Sequence, residues 1–252
     1  MLLLGGLLAG CHAAEPGGTV SVGGIPEKGF FLFYQAVSGA DNRLTVRHRE
    51  QAFYIWDGAG ITAGEGCSQL DPHRARCSDT GINFMQLGLG DGNDVAVNAT
   101  DIQSTIIGGT GRDTLYGGSD ADTFHDPDLD GSDELDADTF DGGSGFDTLQ
   151  YGFTFTDGIN VTLNDVADDG RAGEGDNVLT SIDGVRGTAG PDVLTGDDDT
   201  NTFTGGSGDD VLNGLAGSDL LFGGAGFDMI DGGPGIDLCD VEPDGGTATN
   251  CE

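Results

Sequence analysis

The sequence predicts an all-β protein: parallel strands stacked as a solenoid, with a small β cap at the N-terminal end. Three observations lead there. Glycine supplies 48 of the 252 residues, far above the usual ~7%, which argues against long helices. Nonapeptide units recur, six of them without a break from Gly187 to Asp240, and a fixed short period is the mark of a repeat architecture. Charge is segregated: residues 1–80 hold 6 basic and 8 acidic side chains, residues 81–252 hold 3 and 36. That balance excludes a nucleic-acid binder working through phosphate contacts, and it opposes docking on anionic lipid through a basic patch. So acidic a chain is either a disordered tail or one that needs cations to fold.

The first ten residues, Met-Leu-Leu-Leu-Gly-Gly-Leu-Leu-Ala-Gly, are apolar but short of the about 20 residues that span a bilayer. Residues 1–14 are expected to be an export signal cut near Ala13 or Ala14. Leu8-Ala9-Gly10-Cys11 also resembles a bacterial lipobox, which would lipidate Cys11 and anchor the chain without a membrane span. Either reading places the protein outside the cell, secreted or as a cell-surface lipoprotein; a cytosolic apolar N-terminus is the third.

Residues 15–80 form the predicted cap. Phe30–Tyr34, Leu44–Arg49 and Ala52–Trp56 read as strands between Gly, Asp and Asn turns. Tyr34, Phe53, Tyr54 and Trp56 are either its core or a binding face. Apart from Cys11, the cysteines are Cys67, Cys77, Cys239 and Cys251, which allow three connectivities. Proximity favours Cys67–Cys77 and Cys239–Cys251. With no Cys-x-x-Cys and no histidine cluster nearby, a zinc site is disfavoured.

Residues 81–150 form the first solenoid segment. Its units are LGDGNDVAV at 89–97, GGTGRDTLY and GGSDADTFH joined at 108–125, a glycine-free DELDADTFD at 133–141, and GGSGFDTLQ at 142–150. An acidic insertion at 126–132, Asp126-Pro-Asp128-Leu-Asp130-Gly131, matches the first half of an EF-hand-type loop. Ala137 stands where that loop needs its closing Glu. The stretch is either an insertion holding its own ion through Asp126, Asp128 and Asp130 or a solvated acidic loop.

Residues 151–186 are an irregular spacer. Phe153, Phe155, Ile159, Val161 and Leu163 alternate as strand residues do, and Val178, Ile182 and Val185 can supply further inward rungs. Asp147 and Asp192 are five nonapeptides apart, so the phase can run through. Residues 187–252 hold the regular units GTAGPDVLT, GDDDTNTFT, GGSGDDVLN, GLAGSDLLF, GGAGFDMID and GGPGIDLCD, then a tail that a Cys239–Cys251 bridge would fold over the last coil.

Within a unit, Gly at positions one, two and four permits tight turns with positive φ, and those turns aim carbonyl oxygens into a shared cavity. Position six adds a carboxylate. Positions seven to nine are extended, with the apolar residue at eight pointing inward. Two units make one coil, and stacked coils give two parallel sheets over a thin core. One large apolar side chain per nine residues does not offset ordering costs of about 1–2 kcal/mol per residue. The carboxylates also repel. A hard cation with oxygen ligands relieves both deficits, and Ca²⁺ takes 6–8 oxygens from carboxylates and carbonyls.

The GGxGxD-x-apolar-x units resemble the RTX (haemolysin-type) calcium-binding nonapeptide repeats. The segments Gly173-Glu174-Gly175-Asp176-Asn177-Val178 and Ile182-Asp183-Gly184-Val185 look like the spacer of many such secreted proteins. Ile61 to Cys67, Cys77, Leu87 to Asp94 and the ending Thr249-Asn250-Cys251-Glu252 look like a secreted actinobacterial-type calcium-binding protein. The resemblance covers about 61–252. It implies a right-handed parallel β-roll in which several Ca²⁺ ions sit between turns of successive coils. Carried over by motif position, the ligands are Asp94, Asp113, Asp122, Asp147, Asp192, Asp210, Asp219, Asp228 and Asp237. Asn201 occupies the sixth position of its unit without a charge, and Asp120 replaces a turn glycine.

There is no His-Glu-x-x-His and no Gly-x-Ser-x-Gly, so neither a zinc protease nor a serine hydrolase is signalled. The expectation is a secreted calcium-binding protein without catalytic activity, whose roll folds on binding its ions. Two other readings stay open: a calcium-stiffened surface or adhesive scaffold, and an export and folding module for an enzyme or toxin with its activity in residues 19–80.

Overall fold

The computed structural model describes residues 17–25, 29–126, 135–152 and 156–252. The expected export signal, Cys11, Asp128, Asp130, Phe153 and Phe155 lie outside the described residues. Among the described residues every regular element is a strand, and the strands form sheets of eleven, eight and five. No helix there is long and apolar enough to cross a membrane.

The repeats build the C-terminal half as expected of nonapeptides that alternate between two sheets. Thr202–Ser207, Leu220–Ala225 and Leu238–Pro243 are consecutive parallel neighbours in the eleven-stranded sheet, with Phe203 opposite Leu221 and Leu221 opposite Cys239. Val193–Thr195, Val211–Asn213 and Asp228–Asp231 do the same in the five-stranded sheet, where Leu194, Leu212 and Ile230 are aligned. These eighth-position side chains from both sheets enter one hydrophobic cluster that extends back to Val20. Full burial of one such side chain contributes about 1.5–3 kcal/mol, against nine residues ordered at about 1–2 kcal/mol each. Apolar packing alone therefore falls short in the regular coils.

Earlier coils use the same scaffold, at or near the regular length at first and longer after Asp126. Met85 lies opposite Ser104, Ser104 opposite Asp122, Thr123 opposite Thr148, and Thr148 opposite Gly184. The added length lies between Asp126 and Thr139, a stretch that includes residues outside the described ones, and then in the spacer between Tyr151 and Gly184. In the spacer the second face forks: Asn160–Thr162 pairs with Val193–Thr195, whereas Asn177–Val178 pairs back with Thr139–Asp141. Asp169 joins the two prongs, one carboxylate oxygen accepting from the Thr162 N–H and the other from the Val178 N–H. Ile159, Val161, Leu163, Val178, Ile182 and Val185 are all buried.

The solenoid begins earlier than its glycine signature. Gly29–Ala36 pairs in parallel with Ile82–Asp91, and Arg43–Arg49 with Val95–Ala99. Residues 29–49 thus form the first coil, because Leu32, Tyr34, Leu44 and Val46 present the same inward alternation. The rest of the expected cap closes the end with antiparallel strands. Gly18–Ile25 flanks one sheet, while Ala52–Asp57, Arg74–Ser78 and Cys67–Asp71 extend the other. Both expected disulfides form, Cys67–Cys77 across paired strands and Cys239–Cys251 over the last coil.

Candidate metal centres

The aspartates at repeat position six end the turns and open the strands, so stacking the coils stacks their carboxylates in two rows. In the row before the eight- and five-stranded sheets, one oxygen of each carboxylate accepts the backbone N–H of the equivalent residue in the preceding coil. The N–H of Asn42 reaches Asp94 at 2.6 Å, that of Asp94 reaches Asp113 at 2.8 Å, that of Asp113 reaches Asp138 at 2.8 Å and that of Asp138 reaches Asp176 at 2.9 Å. Past the fork the row resumes from the Ile159 N–H to Asp192 (2.8 Å), from Asp192 to Asp210 (2.8 Å) and from Asp210 to Asp228 (3.0 Å). The row before the eleven-stranded sheet runs from Ser104 to Asp122, Asp122 to Asp147 and Asp147 to Asp183. It continues from Asn201 to Asp219 and Asp219 to Asp237.

All nine sequence-predicted ligands lie in these rows, and all nine are buried. In seven of them, Asp94, Asp113, Asp147, Asp210, Asp219, Asp228 and Asp237, Oδ1 is anchored by the row while Oδ2 is buried without a hydrogen-bond partner among the described residues. A carboxylate held in that state is costly unless a cation or proton meets it. The other two differ. The second oxygen of Asp122 accepts the Gly118 N–H, and that of Asp192 accepts the Thr188 N–H at 2.7 Å. Asp120 at the position of a turn glycine leaves Asp122 in its row.

Glycine makes room for these groups. At Gly205 a Cβ would fall on Asp210 Oδ2 and close to the Gly223 carbonyl. The space is therefore a small cradle of carboxylate and carbonyl oxygen that a side chain would fill. The donors are oxygen throughout, with no thiol or imidazole among the row residues, which suits a hard divalent cation. Burial is the first cause of the raised carboxyl pKa values: about 7 for Asp94, Asp147 and Asp210, and about 8 for Asp113. Asp122, Asp192 and Asp219 are raised for the same reason.

The rows also contain Asp138, Asp176 and Asp183, which motif position did not assign. Asp138 is the sixth residue of the glycine-free unit at 133–141, and burial lifts its pKa to about 9. Asp183 stands one coil of eighteen residues before Asn201, a spacing that could have revealed it. Asp176 has no such signal, because the spacer breaks the period. Burial lifts its pKa to about 9, with Asp126 and Glu174 adding repulsion. Of the EF-hand-like stretch, Asp126 ends the strand Asp122–Asp126 and offers an oxygen within 4.8 Å of oxygens from Glu174 and Asp176. Asn201 keeps its place, its Oδ1 accepting the Asp197 N–H at 3.0 Å.

A stacked-strand solenoid whose turns bury rows of carboxylate is a repeat protein whose turns are lined by oxygen. The family model for the RTX calcium-binding nonapeptide repeat matches four stretches, residues 104–125, 131–150, 182–212 and 204–239. The chain is thus a carrier of RTX calcium-binding repeats. No curated protein matches it.

Proposed function

We propose that this is a secreted calcium-binding protein without catalytic activity of its own, whose right-handed parallel β-roll folds on binding several Ca²⁺ ions. The observation that supports the reading best is the set of seven buried Oδ2 atoms without partners. The anchoring oxygen of each carboxylate is used by the backbone, so the second is free to hold a metal together with turn carbonyls. Right-handedness follows from the strong chiral preference of parallel crossovers.

Bound calcium supplies positive charge that cancels carboxylate repulsion in the turns. The chain's own residues do the rest. Row hydrogen bonds aim each Oδ2 into the turn, and position-one glycines leave it room in every case but Asp94, whose unit opens with Leu89. Because these rows do not exist in the unfolded chain, binding and folding are one event. The two disulfides fit an oxidising compartment, and extracellular calcium modules are filled even at affinities of roughly 10⁻⁴–10⁻³ M.

The test is a Ca²⁺ titration of the metal-free full chain followed by far-UV circular dichroism, with Mg²⁺ as control. A cooperative gain of β signal with Ca²⁺ alone is expected. A chain already folded in chelator, with no response to Ca²⁺, would overturn the reading.

A further inference from the structure

The chain has nine lysines and arginines, and five of them, Arg43, Arg47, Arg49, Arg74 and Arg76, lie on two strands of the N-terminal meander. Those strands, Arg43–Arg49 and Arg74–Ser78, flank Ala52–Asp57. Alternation sends Leu44, Val46, Phe53, Ile55 and Ala75 into the core. The opposite face therefore bears the arginines, Tyr54 and Trp56. The register aligns them in two cross-strand lines: Arg47, Tyr54 and Arg76 in one, Thr45, Trp56 and Arg74 in the other. A column of aromatic rings is thus edged with guanidinium groups, that of Arg76 lying 6.0 Å from the Tyr54 ring centre.

Arg47, Arg49, Arg74, Tyr54 and Trp56 line a cleft of about 690 Å³, with Leu70 at its side and Glu50 the one carboxylate among its described lining residues. Trp56 is 42% exposed and Leu70 49%. Among the described residues Arg74 pairs with Asp71, whereas Arg47, Arg49 and Arg76 have no ion pair. That is unexpected in a chain with 44 acidic side chains. A solvated surface needs neither a clustering of the scarce positive charge nor an exposed tryptophan at its centre.

We propose that this cleft binds an anionic saccharide, its carboxylate or sulfate groups held by the arginines and its ring faces laid on Tyr54 and Trp56. Guanidinium groups take planar oxyanions in forked hydrogen bonds. Tyr and Trp offer broad apolar faces with polar tips, and the cleft has the size of a small-ligand site. A neutral partner leaves the arginine charge unanswered. A nucleic acid brings dense phosphate charge against the field of the acidic solenoid, whereas a saccharide with spaced charges meets far less of it.

The test is isothermal calorimetry on the full chain in Ca²⁺ with four probes. These are oligogalacturonate too short to gel, a sulfated dextran oligosaccharide, a neutral malto-oligosaccharide, and oligothymidylate. Binding of the carboxylated or the sulfated probe is expected, and whichever binds identifies the anion. Affinity should weaken with added NaCl, fall on the order of tenfold or more in Arg47→Glu/Arg74→Glu, and fall again in Trp56→Ala. Equal affinity in these variants would place binding elsewhere, such as at calcium in the solenoid, and overturn the proposal. So would failure of both anionic probes, equal binding of the neutral one, or tighter binding of oligothymidylate. The substituted side chains face outward, so the Ca²⁺ midpoint by circular dichroism should match the parent. That control separates a failure here from a failure of the calcium reading.

Discussion

Replacing Asp210 by Asn separates the structural role of a row carboxylate from its metal-binding role, because the two respond with opposite sign. The change is isosteric. Oδ1 still accepts the Asp192 N–H, while an amide NH₂ replaces the unpartnered oxygen and faces the carbonyl side of the cradle at Gly205 and Gly223. Burial, aided by Asp192, Asp228 and Asp209, raises the Asp210 pKa from 3.8 to about 7. A rise of that size corresponds to about 4 kcal/mol against the ionised form. Solvent screening beside the turn removes roughly half, leaving about 2 kcal/mol. Without metal at pH 8, Asp210→Asn should therefore fold more readily than the parent by about 2 kcal/mol. With calcium it should lose the linkage stabilisation of the ion it no longer holds, about 2.7 kcal/mol at a hundredfold excess over Kd. The assay is circular dichroism in chelator with increasing trimethylamine N-oxide, which favours burial, paired with a Ca²⁺ titration. The osmolyte midpoint should drop and the calcium midpoint rise. If the substitution weakened folding equally in chelator and in calcium, Asp210 would be a structural acceptor only and the reasoning would fail.

Two further outcomes follow from the same geometry. The folded-state pKa values of about 7 for Asp94 and Asp147, about 8 for Asp113 and about 9 for Asp138 and Asp176 all exceed the ordinary 3.8. The folded chain therefore holds more protons, and metal-free stability should be greatest below about pH 4 and decline as pH rises to about 9. Acidifying metal-free protein from pH 8 to 5 should raise its β signal and also raise the calcium midpoint, since protons and calcium compete; a β signal that fell would contradict this. Gly224 has φ of +107° and a Cβ there would strike the Gly206 carbonyl, whereas Gly39 has φ of +81° and faces open space. Gly39→Ala should cost only backbone strain, about 1 kcal/mol. Gly224→Ala should cost several times that and shift the calcium midpoint strongly, as equilibrium titrations of both variants would reveal.

The nonapeptide register is legible in the sequence alone. Position eight predicts the buried Phe203, Leu212, Leu221 and Ile230, and position six predicts nine aspartates that all lie in the two buried rows. A period of nine works because each unit is one turn and one strand, so local spacing and three-dimensional stacking coincide. Asp138 was half legible, since its unit keeps the carboxylate and Phe140 but lacks glycine. Asp176 was not, because the fork at 159–178 restores the stacking after a detour of no fixed length. The first coil at 29–49 was hidden likewise, its turn lacking the glycine pattern while its strands join the sheets.

By itself, then, the sequence determined the repeat, the direction each repeat side chain faces and the oxygen-rich chemistry of the turns, and by proximity it favoured the two disulfides that form. Those are properties of residues near one another along the chain, or held to a strict period. Only the tertiary structure decided which carboxylate oxygen is spent on a backbone N–H and which is left bare, because that depends on the coil stacked alongside. It also decided that Tyr34 and Phe53 are core while Tyr54 and Trp56 line a cleft between arginines. The antiparallel register of the meander sets that division, and residues as far apart as Arg47 and Arg76 come to flank the same Tyr54 only once that register forms.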